Sequence, residues 1–461
     1  ENAFDRLVNL FLCKIVDEKN NPKNLQFYWR GIAFDSYFDL IDRLQRLYRD
    51  GMREFLKEDV TYIDDQTIRD AFKFFKNDPD ATRDKILDYF RQQKYFTNND
   101  FSFIDVHNEQ LFYQNAAILV KIVKMLQSIR LSGDQLNQFL GDMFEFFLDQ
   151  GFKQTEGQFF TPLPIVRFIV RSLPLESVFS NAENPPKVID YACGAGHFLT
   201  EMASQLRTSL DDQSVRSFYG EFYGIEKEYR LSKVAKVSAF MYNQDEINII
   251  YADALARHPD VPEGKFSLLV SNPPYSVKGF LETLPEAERK RYKLIETIDS
   301  KSYPTNDAIE AFFLERAEQL LAPHGIAAII FPSSILSNTT RVYIRAREIL
   351  LQYFDIVAIV ELGSGTFGKT GTNTVTLFLR RKDVNPEPHS HYRNRVDSFF
   401  NDNEDAKLGK VERFCDGHLL TEYCKHIGIP EEDYKTLLAG NPSDLLLQTQ
   451  IFKEYRSHFD E

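Results

Sequence analysis

Apolar residues recur every three or four positions through the first third of the chain. Phe4, Leu7, Val8, Leu10, Phe11 and Ile15 form one series, and Phe38, Ile41, Leu44 and Leu47 another. That spacing puts each series on one stripe of a helix. Ala116 to Val120, with Ile122, Val123 and Leu126, predicts a further long helix. Ser132-Gly133-Asp134 reads as the start of one running through Phe139, Met143 and Phe147 to about Gly151. Thr97-Asn98-Asn99-Asp100 reads as a loop. Residues 1–150 are therefore expected to form a helical domain.

From about residue 187 the pattern changes. Short β-branched or aromatic runs alternate with amphipathic stretches: Val188-Ile189, Phe222 to Ile225, Ile247 to Tyr251, Phe266 to Val270, Ile326 to Phe331, Ile356 to Val360 and Thr374 to Leu379. This alternation predicts an α/β fold, a mostly parallel sheet with helices on both faces. The last two runs lack a full helix between them and are expected to pair as a hairpin. Such sheets bind ligands beyond the carboxyl ends of their strands, near the switch in strand order. Asn385-Pro386-Glu387-Pro388-His389 reads as a linker. The expected division is 1–150, 151–384 and a partly helical tail, 385–461, with helices near Tyr434 to Leu438 and from Ser443.

Composition narrows the class. A chain of 461 residues exceeds one ordinary core. No apolar run reaches the length of a membrane span, and the first residues, Glu1-Asn2-Ala3-Phe4-Asp5, do not read as a signal peptide. The missing initiator Met suggests an excerpt of a longer polypeptide. Four scattered cysteines point to a reducing, cytoplasmic setting. Cys415, His418, Cys424 and His426 lie close together, but the second pair is spaced too tightly for a usual zinc site, so no metal is expected. The net charge of −13 is a poor match for unaided nucleic-acid binding. A DNA partner must meet a local basic patch or a second, basic subunit.

The candidate chemistry lies at the predicted strand ends. Ser271-Asn272-Pro273-Pro274-Tyr275 follows the fourth run. Asn272 offers a carbonyl acceptor, two prolines remove N–H donors and pin the backbone, and Tyr275 offers a flat face. This suits a planar group bearing an exocyclic amine. The first run leads into Asp190-Tyr191-Ala192-Cys193-Gly194-Ala195-Gly196-His197-Phe198-Leu199, where Leu199 replaces the third glycine of a dinucleotide fingerprint. An acidic residue at that lip suits a ligand carrying an ammonium, such as S-adenosylmethionine. Glu226 and Asp253 end the next two strands, placed to accept ribose hydroxyls and an adenine amine. Thr161-Pro162 reads as a helix N-cap followed by a first-turn proline.

In order, these segments resemble the amino DNA methyltransferases that modify adenine at N6, most closely the methylation subunit of type I restriction–modification systems. The resemblance spans about 1–382, densest from 133, and includes Gly325 to Pro332 and Ile359 to Phe367. It implies a helical bundle followed by a Rossmann-like class I S-adenosylmethionine-dependent methyltransferase domain with a seven-stranded sheet. The implied cofactor residues are Gln158, Phe159, Phe160, Thr161, Pro162, Asp190, Ala192, Cys193, Gly194, Gly196, Glu226, Asp253, Ala254 and Asn272. The implied catalytic residues are Asn272, Pro273, Pro274 and Tyr275, with Phe367 as a second stacking face.

It also implies double-stranded DNA with a flipped adenine as substrate, a separate specificity subunit and a restriction subunit as partners. Tyr191 and His197 depart from the family's usual Pro and Gly. His197 reads as an exposed first-turn residue, with crowding of the cofactor's methionine end as the alternative. Rival readings are a protein-glutamine or RNA methyltransferase, a non-catalytic assembly subunit, and the methylase portion of a larger single-chain restriction–modification protein.

Overall fold

A computed structural model describes residues 2–56, 58–60, 62, 64, 89, 94–95, 99–131, 161–180, 185–210, 212–242, 244, 246–363, 365–367, 372–383, 417–438 and 441–453. Near the N-terminus, α1 (Asn2–Asn20), α2 (Tyr37–Gly51) and α3 (Glu109–Leu126) follow the predicted apolar series. Ser36 and Asp39 close a capping box at the start of α2, and Asn108 caps α3. A non-helical connection at 21–36 separates α1 from α2, so the segment is less uniformly helical than its periodicity suggests. The helix expected over 132–151 lies outside the described residues.

Seven strands form one sheet: β1 (Lys187–Asp190), β2 (Phe222–Glu226), β3 (Asn248–Tyr251), β4 (Phe266–Ser271), β5 (Leu321–Pro332), β6 (Phe354–Leu362) and β7 (Thr374–Arg381). Their order is β3-β2-β1-β4-β5-β7-β6, and only β7 runs antiparallel to its neighbours. Each predicted run became a strand, and the last two pair as the expected hairpin. Among the helices that follow the N-terminal ones are α4 (Leu163–Arg171), α5 (His197–Ser209), α6 (Tyr229–Met241), α7 (Ile309–Leu320), α8 (Arg341–Tyr353), α9 (Gly417–Ile427), α10 (Glu431–Leu438) and α11 (Asp444–Leu447).

Alternation along each strand divides the core. Ile189, Leu269, Ile329 and Leu377 pack with α7 and α8, while Val188, Leu268, Val270, Ala328 and Ile330 pack with α4 and α5. Adjacent strand residues point to opposite faces, so a sheet covered on both sides needs apolar residues in succession. A third apolar cluster joins α1, α2 and α3 to Val234, Val237, Phe240 and Met241 of α6. Polar ties reinforce it: Arg230 donates to Asp5 at 2.8 Å, Tyr229 to Glu58 at 2.7 Å, and buried Lys233 to Tyr48 at 2.7 Å.

The tail helices near 434 and 443 are present, and α9 was not anticipated. It places Cys424 inside, 2% exposed, and His426 outside. Positions two apart on a helix face different directions, so these two cannot share a metal. Among the described residues, no helix is long and apolar enough to cross a membrane.

Candidate active site

The strand order reverses between β1 and β4, and the carboxyl ends of these two strands meet there. Asp190 ends β1 and Ser271 ends β4, and the Ser271 hydroxyl donates to Asp190 Oδ1 at 2.6 Å. The Ala192 N–H donates to the same oxygen at 3.1 Å. Asp190 Oδ2 is buried and has no hydrogen-bond partner among the described residues. Burial pushes the Asp190 carboxyl up to about 7, against the pull of Ser271 and Ala192 and with a small push from Glu226.

The loop after β1 turns through Gly194 (φ +52°) and Gly196 (φ +85°), left-handed conformations that favour glycine. The Gly194 N–H donates to Glu226 Oε2 at 2.9 Å, and the Cys193 N–H donates to the Ile225 carbonyl at 3.0 Å. These bonds tie the loop to the end of β2. Gly224 permits that approach, since a Cβ there would lie 2.9 Å from Cys193 Sγ and 2.8 Å from Ile249 Cδ1. Cys193 is buried and its thiol pKa is pushed up by desolvation, which fits packing rather than thiolate chemistry.

Glu226 is 9% exposed, and its other oxygen accepts from the Glu228 N–H at 2.7 Å. Burial raises its pKa while these backbone donors lower it. Asp253 accepts from the Leu255 N–H at 3.0 Å and pairs with half-exposed Lys227 at 2.8 Å, a contact not visible in the strand-end pattern. Ala254 beside it is buried. His197 is half-buried rather than exposed, and desolvation pushes its pKa down to about 4, leaving a neutral imidazole.

Asn272 stands one residue beyond β4. Its amide nitrogen donates to the Thr161 hydroxyl at 3.0 Å, and its carbonyl accepts from the Tyr275 hydroxyl. Thr161 is therefore not the helix cap that its sequence position suggests. Pro162 occupies the N-cap of α4, where proline has no side-chain acceptor to offer. Gln158, Phe159 and Phe160 lie outside the described residues. Tyr275, expected as an open platform, is only 5% exposed, and Phe367 is equally buried in the same apolar cluster. Both rings belong to the apolar core on this face of the sheet. Sequence reasoning missed Ser271, although its place between strand and tetrapeptide was a signal.

The sequence pattern of the N-6 DNA methylase family matches residues 135–418, well over half of the chain. The chain belongs to the N-6 DNA methylase family.

This N-6 DNA methylase is 22% identical over 419 residues to the type I restriction enzyme MpnII methylase subunit of Mycoplasma pneumoniae, covering 84% of this chain and 72% of that protein. It is 24% identical over 200 residues to the MjaVII methylase subunit of Methanocaldococcus jannaschii, covering 42% of this chain and 32% of that protein. In fold it is similar to a chain from a structure describing complex assembly of the type I restriction–modification system. That match has a TM-score of 0.50 and 16% identity, and covers 96% of this chain and 94% of the other.

The enzyme transfers a methyl group from S-adenosylmethionine to N6 of adenine in DNA. The residues present fit that cofactor. The unpaired Asp190 Oδ2 is an acceptor suited to an ammonium, and a Cβ at Gly194 would meet nothing within 4 Å, so the loop faces open space.

Proposed function

We propose that this chain is the modification subunit of a type I restriction–modification system, methylating adenine at a sequence chosen by a separate specificity subunit. The observation that carries the reading is the shared lip of β1 and β4. Asp190 bonds Ser271, and the next residue, Asn272, has its amide oriented by Thr161. The Mycoplasma pneumoniae and Methanocaldococcus jannaschii relatives bear the name of type I methylase subunits, which supports the assembly part of the reading.

In this reading Asp190, Ala192, Cys193, Gly194 and Gly196 hold the methionine end of the cofactor. Glu226 takes the ribose hydroxyls, and Asp253 with Ala254 takes the cofactor's adenine. Gln158, Phe159, Phe160, Thr161 and Pro162 border it from the other side. Bound S-adenosylmethionine supplies an electrophilic sulfonium methyl.

A target adenine inside a duplex is out of reach, so it is flipped into the pocket. There it stacks on Tyr275, with Phe367 as the second face. The Asn272 side-chain carbonyl and the Pro273 carbonyl accept the two N6 protons, while Pro274 offers no competing N–H. Accepting both protons draws the nitrogen towards pyramidal geometry and localises its lone pair. The residues thus act by positioning and by preorganised dipoles.

Residues 1–150, 151–384 and 385–461 serve as helical domain, catalytic domain and tail. The acidic balance of the chain assigns duplex affinity to a more basic specificity subunit, with a restriction subunit as a further partner and the cytoplasm as the setting. The test is transfer of labelled methyl to unmethylated DNA, with and without the cognate specificity subunit. Sequence-specific transfer is expected only with both. Strong specific transfer by this chain alone overturns the partner assignment, and transfer to RNA or protein glutamine in place of DNA overturns the substrate.

A further inference from the structure

Ser276 leaves the tetrapeptide with φ +52°, in the left-handed region, although it carries a side chain. Among the described residues only His324 shares that feature outside glycine. The Ser276 N–H donates to Glu310 Oε2 at 3.1 Å, and the other carboxylate oxygen accepts from the Tyr343 hydroxyl at 2.6 Å. Glu310 is 1% exposed in α7, and Tyr343 is 7% exposed in α8.

A buried carboxylate is costly unless donors compensate it. Burial raises the Glu310 pKa, and the bonds from Tyr343 and Ser276 lower it again. One of these donors is the backbone N–H immediately after Tyr275. The carboxylate thus ties two helices behind the sheet to the exit of the base-binding segment.

We propose that Glu310 is a positioning residue for the target base: by holding the Ser276 N–H, it fixes the left-handed turn that aims the Tyr275 ring and the Pro273 carbonyl. The inference rests on the functional reading above. E310L removes both acceptors at similar volume, whereas E310Q can accept from the Ser276 N–H and donate to the Tyr343 hydroxyl, keeping both bonds. A glycine at 276 adopts positive φ without a side-chain penalty and needs no such restraint.

The test compares wild type, E310L, E310Q and E310L/S276G, each as full chain assembled with its specificity subunit. The measured quantities are kcat, KM for DNA and the Kd for S-adenosylmethionine. E310L is expected to lower kcat about 10- to 100-fold, as small misplacements near reacting atoms do. E310Q should keep most of the turnover, cofactor affinity should hold, and S276G should restore most of what E310L loses. Unchanged kcat in E310L overturns the inference, as do matched losses of turnover and cofactor affinity that S276G leaves unrepaired. Should E310L fail to fold, E310D withdraws the carboxylate from the Ser276 N–H by one methylene; a fall in kcat supports the role and wild-type turnover overturns it.

A wild-type complex that transfers no methyl to DNA overturns the functional reading instead. The geometry of Glu310 is then read from crystals of E310L. A backbone over 275–277 displaced by more than about 0.5 Å supports the role, and an unmoved one overturns it.

Discussion

The Asn272 amide nitrogen donates to the Thr161 hydroxyl at 3.0 Å, joining the end of β4 to the residue before the α4 cap. This bond holds the Asn272 amide with its oxygen turned away from Thr161, and the Tyr275 hydroxyl bonds that oxygen. Replacing Thr161 by Val removes the restraint at nearly constant volume. A hydrogen bond of this kind is worth about 0.5–1.5 kcal/mol net, so kcat should fall roughly 2- to 12-fold. Ser at 161 should keep it. Asn272→Ala, which removes the acceptor itself, should abolish turnover and spare cofactor affinity. Steady-state kinetics with a separate binding titration check both. Loss of cofactor affinity in T161V as large as its loss of turnover would assign the hydroxyl to the cofactor instead.

Asp190 makes cofactor binding depend on pH. Its pKa is raised from an ordinary 3.8 to about 7, chiefly by burial, so the folded protein binds this proton more tightly than the unfolded chain. Its contribution to stability is therefore complete below about 3.8 and is lost as pH rises through about 7. A cationic ammonium favours the ionised carboxylate. Affinity for S-adenosylmethionine should thus rise with pH towards 7, and binding at about pH 6 should release a proton. Calorimetry in two buffers of different ionisation enthalpy measures that release. D190N should weaken binding by about 1.5–3 kcal/mol, roughly 10- to 150-fold, and remove the buffer dependence. A buffer-independent enthalpy for the wild type would contradict the raised pKa.

The two halves of this site were not equally legible. Asp190, Glu226, Asp253 and Asn272 could be found because each follows a short run of strand-forming residues, and the chemistry of a strand end is local. The bonds that Ser271 and Glu310 make could not. Their partners lie 81 and 34 residues away, and only the placement of β1 beside β4 and α7 behind the sheet brings them together. Glu310 did leave a trace: an acid inside a helix buried nearly all round must find donors. The strands were legible because both faces of the sheet are covered. β5 begins early, at Leu321, because a register shift opposite Phe266 and Leu268 lets Ala322-Pro323-His324-Gly325 join a strand although it reads as a turn. In α9 the Cys and His residues suggested a metal question, while the buried pair Leu420 and Cys424, one helical turn apart, carried the helix signal.

Lys233 holds the N-terminal helices to the catalytic domain. Its ammonium donates to Asn9 at 2.5 Å and to the Tyr48 hydroxyl at 2.7 Å, and it lies 4.6 Å from the centre of the Tyr48 ring. Burial lowers its pKa to about 8, against Asp100, Cys13, Asp5 and Glu58. A lysine lowered on folding contributes stability above its unfolded pKa and loses it as pH falls through the folded one, so burying this group costs progressively less stability from about pH 8 upward. K233A leaves two buried polar groups without their donor and should cost about 1–3 kcal/mol. Hydrogen exchange should quicken in α1, α2 and α6 before it does in β1 and β4. Uniform acceleration across the sheet would mean that the bundle and the catalytic core open as one unit.

Tyr275 carries two opposing contributions that a pair of substitutions can separate. Its ring is the proposed stacking face, worth about 1–3 kcal/mol per base, so Y275A should lower kcat/KM roughly 5- to 150-fold. Its hydroxyl, however, donates to the carbonyl of Asn272, the same acceptor that the target amine needs. The Ile330 carbonyl lies 3.4 Å from that hydroxyl and offers the proton an alternative acceptor once a base arrives. Y275F keeps the ring and removes the competitor, so kcat/KM for DNA should be retained or rise, chiefly through KM. Fluorescence of 2-aminopurine at the target position should report tighter base capture in Y275F and weaker capture in Y275A. If Y275F falls as far as Y275A, the hydroxyl is required in the complex with the base, and its bond to Asn272 belongs to the working site.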